Sequence, residues 1–215
     1  MYTTGQPEEP VKTGVALCEV GPRDGFQFES TPIPTEEKLS VIRRLFAAGL
    51  SRIQITSFVH PRLVPQMADA EDVVAALLAD AAVDASAFSA LALNRRGVER
   101  ALASGVPMID LSIATNETHS RENANMSVDE GVEEAVAMIE MANEAGISPQ
   151  LGLQTVFGYG QPGDTALELI VNLSRRFCEM PIESLSLADS TGLANPVLIR
   201  NVLTAVSEVS GDIPI

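Results

Sequence analysis

The stretch VALCEVGPRDG, residues 15–25, decides between two candidate folds for this chain. VALCEV is a short apolar run typical of a buried strand, and GPRDG follows it with turn-forming residues. A doubly wound sheet commonly carries a G-x-G-x-x-G fingerprint directly after its first strand, and GPRDG does not match that pattern. A (β/α)8 barrel instead places polar, chemically useful residues at the ends of its strands, as Arg23 and Asp24 are placed here.

The rest of the chain repeats this alternation of a short apolar run with a longer segment of helical periodicity. We predict strands at 15–20, 52–57, 87–93, 108–114, 150–156 and 184–188. We predict helices at 35–49, 68–80, 95–104, 127–145, 164–178 and 196–209. Ser127 and Glu130 match a capping box, and Pro196 suits the first turn of a helix that begins after Asn195. Six successive βα units indicate a parallel sheet.

Polar residues near the ends of several predicted strands favour the α/β TIM-barrel fold. Besides Arg23 and Asp24 they are Gln54, Thr56, Thr115, Asn116 and Asp189. A closed barrel has eight strands and about 250 residues. The 215 residues here supply about six βα units, and 213–215 resemble the start of a seventh strand. We therefore expect an incomplete TIM-barrel catalytic domain over residues 13–215, preceded by a disordered lead-in over residues 1–12.

The composition excludes some classes of protein. The net charge of -15 argues against a nucleic-acid partner, because such a partner requires a basic surface. No apolar run approaches the roughly 18 residues of a membrane span. The first residues show no signal-peptide pattern, so we expect a cytoplasmic protein without a membrane partner. Cys18 and Cys178 lie far apart in apolar surroundings, which predicts two buried thiols and no disulfide.

Two interpretations of the Arg23-Asp24 pair are open from the residues alone. As an exposed ion pair in a turn, it would contribute about 0–1 kcal/mol to stability. At the active-site end of a barrel, Asp24 would hold a hard divalent cation such as Mg2+ through its carboxylate oxygens. Such a site would also need ligands from other strands. Arg23 would then face a negative charge that develops during a reaction.

Polar loops after two further strands leave their roles open. His60 lies in the loop of residues 55–73, which either covers a site or is a surface connection. His119 and Arg121 lie in the predicted loop of residues 112–127, where they either bind an anionic ligand or are solvated.

Two later segments are equally ambiguous. The glycine-rich segment 154–164 is either a flexible lid or a plain turn. Asp189, after the sixth strand, either faces Asp24 across the barrel mouth or belongs to an ordinary polar turn.

Four motifs together resemble the 3-hydroxy-3-methylglutaryl-CoA lyase family of metal-dependent TIM-barrel lyases. They are EVGPRDGFQFE, TSFVHPRLVPQMAD, THSRENANMS and SLADSTG, in this order and spacing. The resemblance covers the chain from about residue 13 to residue 215. These lyases belong to a wider group that includes Claisen-type synthases with an Arg-Asp-Gly after the first strand.

The resemblance implies a site that binds Mg2+ or Mn2+. Asp24 matches a metal ligand, Arg23 an arginine that stabilises an enolate oxygen, Asp189 a catalytic aspartate, and Gln27 a residue near the substrate. The family's two histidine ligands form an H-x-H motif after the seventh strand, so the resemblance implies that the chain is truncated before that motif. The family's general-acid cysteine also lies further along, and neither Cys18 nor Cys178 replaces it.

One residue departs from the family's pattern. The lyases usually have a glutamate near the end of the second strand, where this chain has Gln54. We keep Gln54 as a catalytic candidate, although an amide cannot accept a proton as a carboxylate does. His119 and Arg121 remain candidates for substrate binding.

For the parent protein, the resemblance implies a lyase that cleaves a 3-hydroxy-3-methylglutaryl-CoA-like thioester to acetyl-CoA and a keto acid. Its partner would be a small acyl-CoA, and a homodimer is one candidate assembly. Two alternatives stay open: a condensing or carboxyl-transferring relative with an altered substrate, marked by Gln54, and a catalytically incomplete fragment in the case of these 215 residues alone.

Overall fold

The computed structural model describes residues 14–215, which form a sheet of six parallel strands in the order β1-β2-β3-β4-β5-β6. The strands are β1 Cys18–Glu19, β2 Arg52–Ser57, β3 Phe88–Ala92, β4 Met108–Ala114, β5 Gln150–Gln154 and β6 Ser184–Leu187. The α-helices are α1 Thr35–Ala47, α2 Ala70–Leu78, α3 Arg95–Ser104, α4 Glu117–Ala124, α5 Val128–Glu144, α6 Leu167–Cys178 and α7 Pro196–Ser207.

The strand order confirms the barrel prediction. Each strand pairs with the next one along the chain, whereas a doubly wound sheet reverses direction in its middle. The six strands therefore curl as part of a TIM barrel, and all their carboxyl ends lie at one end of the curl. Beyond β6, the backbone N–H of Leu185 donates to the carbonyl of Pro214 at 2.9 Å, where we predicted the start of a seventh strand.

Apolar side chains between the sheet and the helices form the core. The largest of the fully buried side chains include Phe58, Phe88 and Phe177. Burying one such aromatic side chain stabilises the fold by about 1.5–3 kcal/mol relative to leaving it exposed. Helix α5 packs on β4 and α2 on β2. The helices thus cover the outer face of the sheet and leave its inner face to the site.

Most predicted elements are confirmed, with shifts of a few residues at their ends. Strands β2 and β4 and helix α3 have the predicted bounds. Ser127 and Glu130 form the capping box, with each side chain bonded to the other residue's backbone. The side chain of Asn195 accepts from the N–H groups of Val197 and Leu198.

Two predictions are wrong. Residues 112–127 are not one polar loop, because helix α4 forms within them. The side-chain oxygen of Asn116 accepts from the N–H groups of Thr118 and His119 and so caps the helix. The sequence of α4 is polar, so no apolar periodicity marks where the helix begins. The two cysteines are free but not buried, since Cys18 is exposed and Cys178 is only partly covered.

The predicted lead-in over residues 1–12 lies outside the described residues. Among residues 14–215, no helix combines the length and the apolar character that crossing a membrane requires.

Candidate active site

An open cavity of about 950 Å³ lies at the carboxyl ends of the strands, and we call it the mouth cavity. Its lining includes six of the seven predicted site residues: Arg23, Asp24, Gln27, Gln54, His119 and Asp189. Residues from all six βα units reach it, because parallel strands deliver their carboxyl ends to the same side of the sheet. The seventh residue, Arg121, lies outside the lining, in an exposed ion pair with Glu117 at 3.2 Å.

A tight turn holds Arg23 and Asp24 at the rim of this cavity. Residues Gly21–Gly25 form one π-helical turn directly after β1. The backbone N–H groups of Arg23 and Asp24 both donate to the carbonyl of Val20, at 3.0 and 2.7 Å. Since these bonds fix two successive backbone units, the two side chains leave the turn in defined directions.

The Arg23 guanidinium is largely enclosed and has two protein partners. Its Nε donates to the amide oxygen of Gln54, and its Nη1 donates to Asp24 Oδ1 at 2.5 Å. Burial lowers the pKa of Arg23, an effect opposed by the negative charges of Asp24 and Asp110. The guanidinium nevertheless stays protonated, because arginine is not deprotonated in proteins. Among residues 14–215, Nη2 has no hydrogen-bond partner.

A buried polar network lies beneath Arg23 on the inner face of the sheet. The Gln54 amide nitrogen donates to Asp110 Oδ2, and Ser89 Oγ donates to the same oxygen at 2.6 Å. Gln54, Ser89 and Asp110 are all buried. The register between β2 and β3 shifts between Gln54 and Thr56, and such an irregularity redirects a side chain.

The carboxylate of Asp24 is placed so that it could supply one ligand to a metal ion. Its side chain is 49% exposed at the cavity, so it can reach an ion without burying an unpaired charge. Oδ1 accepts from Arg23 and, at 3.4 Å, from the amide of Gln27. Oδ2 has no hydrogen-bond partner among the described residues. Mg2+ is often held by one or two carboxylates plus water and substrate, so Asp24 fits as one ligand.

Residues 14–215 do not contain a cluster of three or more His, Cys, Asp or Glu side chains suited to a metal. Asp24 would therefore share an ion with water, substrate or residues outside this range.

Asp189 lines the mouth cavity and also ties down its own loop. Its Oδ1 accepts from the N–H of Leu193 at 2.9 Å, and its Oδ2 accepts from the N–H of Ala194 at 3.2 Å. The neighbouring Ser190 Oγ accepts from the N–H of Thr155 at 3.1 Å. The geometry thus combines the two interpretations of this segment, a turn and a position at the mouth.

His119 reaches the cavity from α4. Its Nε2 lies 3.1 Å from the amide oxygen of Gln154, at the end of β5. The ring packs against Tyr159, with 5.0 Å between ring centroids. Tyr159 in turn donates its hydroxyl proton to Glu122. Because His119 lies in the first turn of α4, the helix that the sequence did not predict is the element that positions this histidine.

The glycine-rich segment forms a compact turn in the structure. The carboxylate of Asp164 accepts from the backbone N–H groups of Tyr159, Gly160 and Gln161, at 2.7, 2.8 and 3.0 Å. These bonds lower the pKa of Asp164, with the Tyr159 N–H as the largest cause. Gly158 has φ of 123°, and a Cβ there would lie 2.2 Å from the carbonyl oxygen of Gln161, so only glycine fits.

Sequence reasoning missed Asp110 and Gln154, which both line the mouth cavity. Their signal was the alternation of polar and apolar residues within a strand. In β4, Asp110 alternates with Ile109 and Leu111. Alternate residues of a strand point to opposite faces, so this pattern indicates a polar inner face, which is unusual for the interior of a barrel.

Two smaller cavities adjoin the loop between β2 and α2. One, of about 470 Å³, shares Val59, Leu63 and Leu93 with the mouth cavity. The other, of about 500 Å³, shares Val59 and His60 with the cavity of about 470 Å³. It is also lined by basic residues, which are Arg62, Arg96 and Arg100. We call it the basic pocket. It has no acidic residue in its lining, although the chain as a whole is strongly acidic.

Comparison with known proteins decides the family. The family model described as HMGL-like matches residues 14–215. The chain belongs to the HMGL-like family. The predicted resemblance to the 3-hydroxy-3-methylglutaryl-CoA lyases is thereby confirmed.

Individual members of the family agree with this assignment. The hydroxymethylglutaryl-CoA lyase YngG of Bacillus subtilis is 38% identical over 197 residues, which are 92% of this chain and 65% of that relative. The crystal structure of the Bacillus subtilis HMG-CoA lyase superposes with a TM-score of 0.82 at 38% identity, over 90% of this chain and 64% of that one. This HMGL-like chain thus spans slightly less than two thirds of the length of these two relatives.

A third relative was solved with ligands. The HMG-CoA lyase of Acinetobacter baumannii, in complex with coenzyme A and 3-methylmalate, has a TM-score of 0.82 at 27% identity. The match covers 91% of this HMGL-like chain and 63% of that structure. The roles of the individual site residues here stay predictions.

Proposed function

We propose that the protein carrying this chain is a divalent-metal-dependent carbon–carbon lyase. It cleaves a 3-hydroxy-3-methylglutaryl-CoA-like thioester to acetyl-CoA and a keto acid. The observation that carries the proposal is the Arg23 guanidinium, enclosed at the strand ends and side by side with the exposed carboxylate of Asp24. A carboxylate that can bind a cation thus lies beside an arginine that can donate hydrogen bonds to the substrate.

The reaction needs a base and a site for the charge that develops. The tertiary hydroxyl of the substrate loses its proton, and its oxygen becomes the carbonyl oxygen of the keto acid. The bond to the carbon beside the thioester breaks, and its electrons form an enolate. Protonation of the enolate carbon then gives acetyl-CoA. A divalent cation on Asp24 would supply Lewis-acid activation of the hydroxyl.

Residues of this chain then have distinct roles. Arg23 donates to the enolate oxygen through the part of its guanidinium that no protein group uses, and removing one such donor typically costs about 3–4 kcal/mol. Gln54 orients Arg23 through its amide oxygen. We assign Asp189, Gln27 and His119 to contacts with the substrate, since they share the cavity. Arg121 would act only if α4 moved, because its side chain points to Glu117.

The shape and charge of the cavities support an acyl-CoA substrate. Phe28 and Leu63 are 79% and 81% exposed on the rim of the mouth cavity, where they offer apolar surface to a pantetheine arm. The cavity of about 470 Å³ shares lining residues with both the mouth cavity and the basic pocket. Arg62 and Arg96 form no ion pair within residues 14–215, so they are suited to phosphates.

A condensing or carboxyl-transferring reaction is the second candidate, favoured by Gln54. Its amide is hydrogen-bonded at both ends and cannot accept a proton. Incubation of the protein and Mn2+ with single acyl-CoAs, and then with pairs of acyl-CoA and oxo-acid, separates the candidates by mass spectrometry. Acetyl-CoA from a single acyl-CoA supports the lyase. A joined product, with no cleavage, contradicts it.

Cytoplasmic residence and a homodimeric assembly also remain proposals. Fractionation of the source cells tests the first, and light scattering of the purified protein tests the second.

A further inference from the structure

We propose that Asp110 is a positioning residue whose charge sets the orientation of the Gln54 amide and, through it, of the Arg23 guanidinium. Arg23, Gln54 and Asp110 lie on three different strands or strand ends. It deepens the proposed function, on which the catalytic part of its test rests, but its structural part is independent of any reaction.

The hydrogen-bond capacity of Asp110 and Arg23 determines which way the Gln54 amide is turned. An ionised carboxylate only accepts, so Asp110 requires the NH2 group of Gln54 on its side. A guanidinium only donates, so Arg23 requires the amide oxygen. With both neighbours in place, only one of the two amide orientations satisfies every bond. A flipped amide would place donors against Arg23 and two oxygens against each other at Asp110.

The negative charge of the buried Asp110 side chain is stabilised by its neighbours. Its side chain is 3% exposed, and Ser89 supplies a second donor to Oδ2 at 2.6 Å. Oδ1 is buried without a hydrogen-bond partner in the described residues, with Arg52 Nη2 at 3.6 Å. A buried carboxylate is stable only beside positive charge. Arg52 supplies that charge directly, and Arg23 supplies it through the polarised amide of Gln54.

The Gln54 amide in turn helps to fix the orientation of the Arg23 guanidinium. Gln54 holds Nε, and Asp24 holds Nη1. Two fixed nitrogens determine the plane of the guanidinium, since the group is rigid. Its Nη2 has no partner in residues 14–215. The direction of Nη2 therefore depends on the hydrogen bonds between Asp110 and Gln54 and between Gln54 and Arg23. Loss of the charge on Asp110 would release one of these two contacts without touching the cavity side of Arg23.

The test is a double-mutant cycle of Asp110→Asn, Gln54→Glu and both together. In Asp110→Asn the side chain at 110 can donate as well as accept, so it no longer dictates the orientation of the Gln54 amide, which then depends on Arg23 alone. In the double variant a carboxylate at 54 accepts from Arg23 directly. The amide nitrogen of the asparagine at 110, in the place of Oδ2, donates to that carboxylate and to Ser89 Oγ, and its amide oxygen faces Arg52. The network regains its charge and its complementary bonds. Gln54→Glu alone places two carboxylates in contact and is the strained corner of the cycle.

The readouts are the 15N NMR signal of the Arg23 Nε–H, recorded without substrate, and kcat and KM of the protein. For Asp110→Asn we expect a shifted or exchange-broadened Arg23 signal. We also expect kcat to fall by about 10²-fold, the scale of a misplacement of about 1 Å, with KM little changed. For the double variant we expect the signal to return and most of kcat to recover. Ser89→Ala, which keeps the charge, should have a much smaller effect.

Recovery in the double variant supports the proposal even if Asp110→Asn alone does not fold. A double variant that restores neither quantity overturns it, and so does an Asp110→Asn variant with an unchanged Arg23 signal. If the protein proves to catalyse another reaction, the NMR result still decides the inference, so its failure is distinguishable from failure of the proposed function.

Discussion

Arg23 and Asp24 are adjacent in the chain and joined by a hydrogen bond of 2.5 Å at the mouth of the curled sheet. One side chain is 16% exposed and the other 49%, although both belong to the same turn. Because the guanidinium is enclosed and the carboxylate is open, the pair presents a fixed donor and an accessible ligand arm side by side. The first two predictions separate these two functions.

Replacing Arg23 by alanine should lower kcat by about 10²–10³-fold, because a donor to the developing enolate oxygen is lost. The expected fall is measured by acetyl-CoA release, with folding checked by circular dichroism. Arg175→Ala on α6 is the matched control, since the Arg175 side chain donates to Asn172 and lies outside the mouth cavity. Turnover near the wild-type value would remove Arg23 from the mechanism.

Replacing Asp24 by asparagine should weaken Mn2+ binding by roughly tenfold or more, because even outer partners of a metal ligand contribute that much. Asparagine keeps an oxygen for Arg23 and so leaves the turn intact. Titration of free Mn2+ by electron paramagnetic resonance gives the affinity. Asp72→Asn, an exposed residue of α2, is the control for loss of one negative charge. Equal affinities of the two variants would show that Asp24 is not a ligand.

Replacing Arg96 by alanine should raise KM for an acyl-CoA by about tenfold, the value of one charge-assisted hydrogen bond to a phosphate. KM for the matching pantetheine thioester, which lacks the nucleotide, should stay unchanged. The neighbouring Arg95 gives a close control, since it pairs with Glu134 at 2.7 Å and does not line the basic pocket. If Arg95→Ala and Arg96→Ala behave alike, the basic pocket is not the phosphate site.

Replacing Lys38 by alanine should destabilise the fold by about 3 kcal/mol, because Asp69 loses its cationic partner in a largely buried site and keeps the neutral hydroxyl of Thr35. Lys38 is 3% exposed and donates to Asp69 at 2.6 Å and to the carbonyl of Gln66 at 2.5 Å. It thus fastens the loop after β2 to α1. Urea unfolding measures the change in the free energy of unfolding.

The control for Lys38 is the ion pair of Arg43 and Asp80, whose arginine is 40% exposed. Arg43→Ala should cost less than about 1 kcal/mol, as is usual for pairs in contact with solvent. Similar losses in Lys38→Ala and Arg43→Ala would mean that burial does not strengthen the first pair.

Acidification should loosen the turn that Asp164 holds. The pKa of this carboxyl is lower in the folded chain than its ordinary value of 3.8, chiefly because the N–H of Tyr159 donates to it. Its contribution is therefore complete above that ordinary value and is lost as the pH falls through the lower folded pKa. The protection of the amides of Tyr159, Gly160 and Gln161, measured as their hydrogen-exchange rate relative to the intrinsic rate at the same pH, should fall in this acidic range. Asp164→Asn should show fast exchange at neutral pH, and unchanged protection would contradict the assignment.

Much of the fold follows from local sequence. Apolar runs of strand length alternate with helical periodicity, and capping residues such as Ser127 and Asn195 mark the ends of helices. These signals depend on neighbours a few residues apart, so they are legible without a structure. Helix α4 was missed because its stability comes from the Asn116 cap and contacts with α5 and β4, and not from an apolar stripe.

The candidate site was predictable only in part. Arg23, Asp24 and Asp189 stood out because each follows a strand, and the structure brings all three to one cavity. Asp110 did not, because it lies inside a strand and its partners are 56 and 21 residues away. Its role as a buried acceptor depends on the curl of the sheet.

The sequence by itself determined the parallel βα architecture, the family and the residues at the rim, because strand period, turn residues and motifs are local properties of the chain. Only the tertiary structure decided which of these side chains are enclosed, which are open, and how the Gln54 amide is oriented. Burial and hydrogen-bond direction arise between strands that are far apart in sequence, where the low-dielectric interior makes each unpaired donor or charge costly.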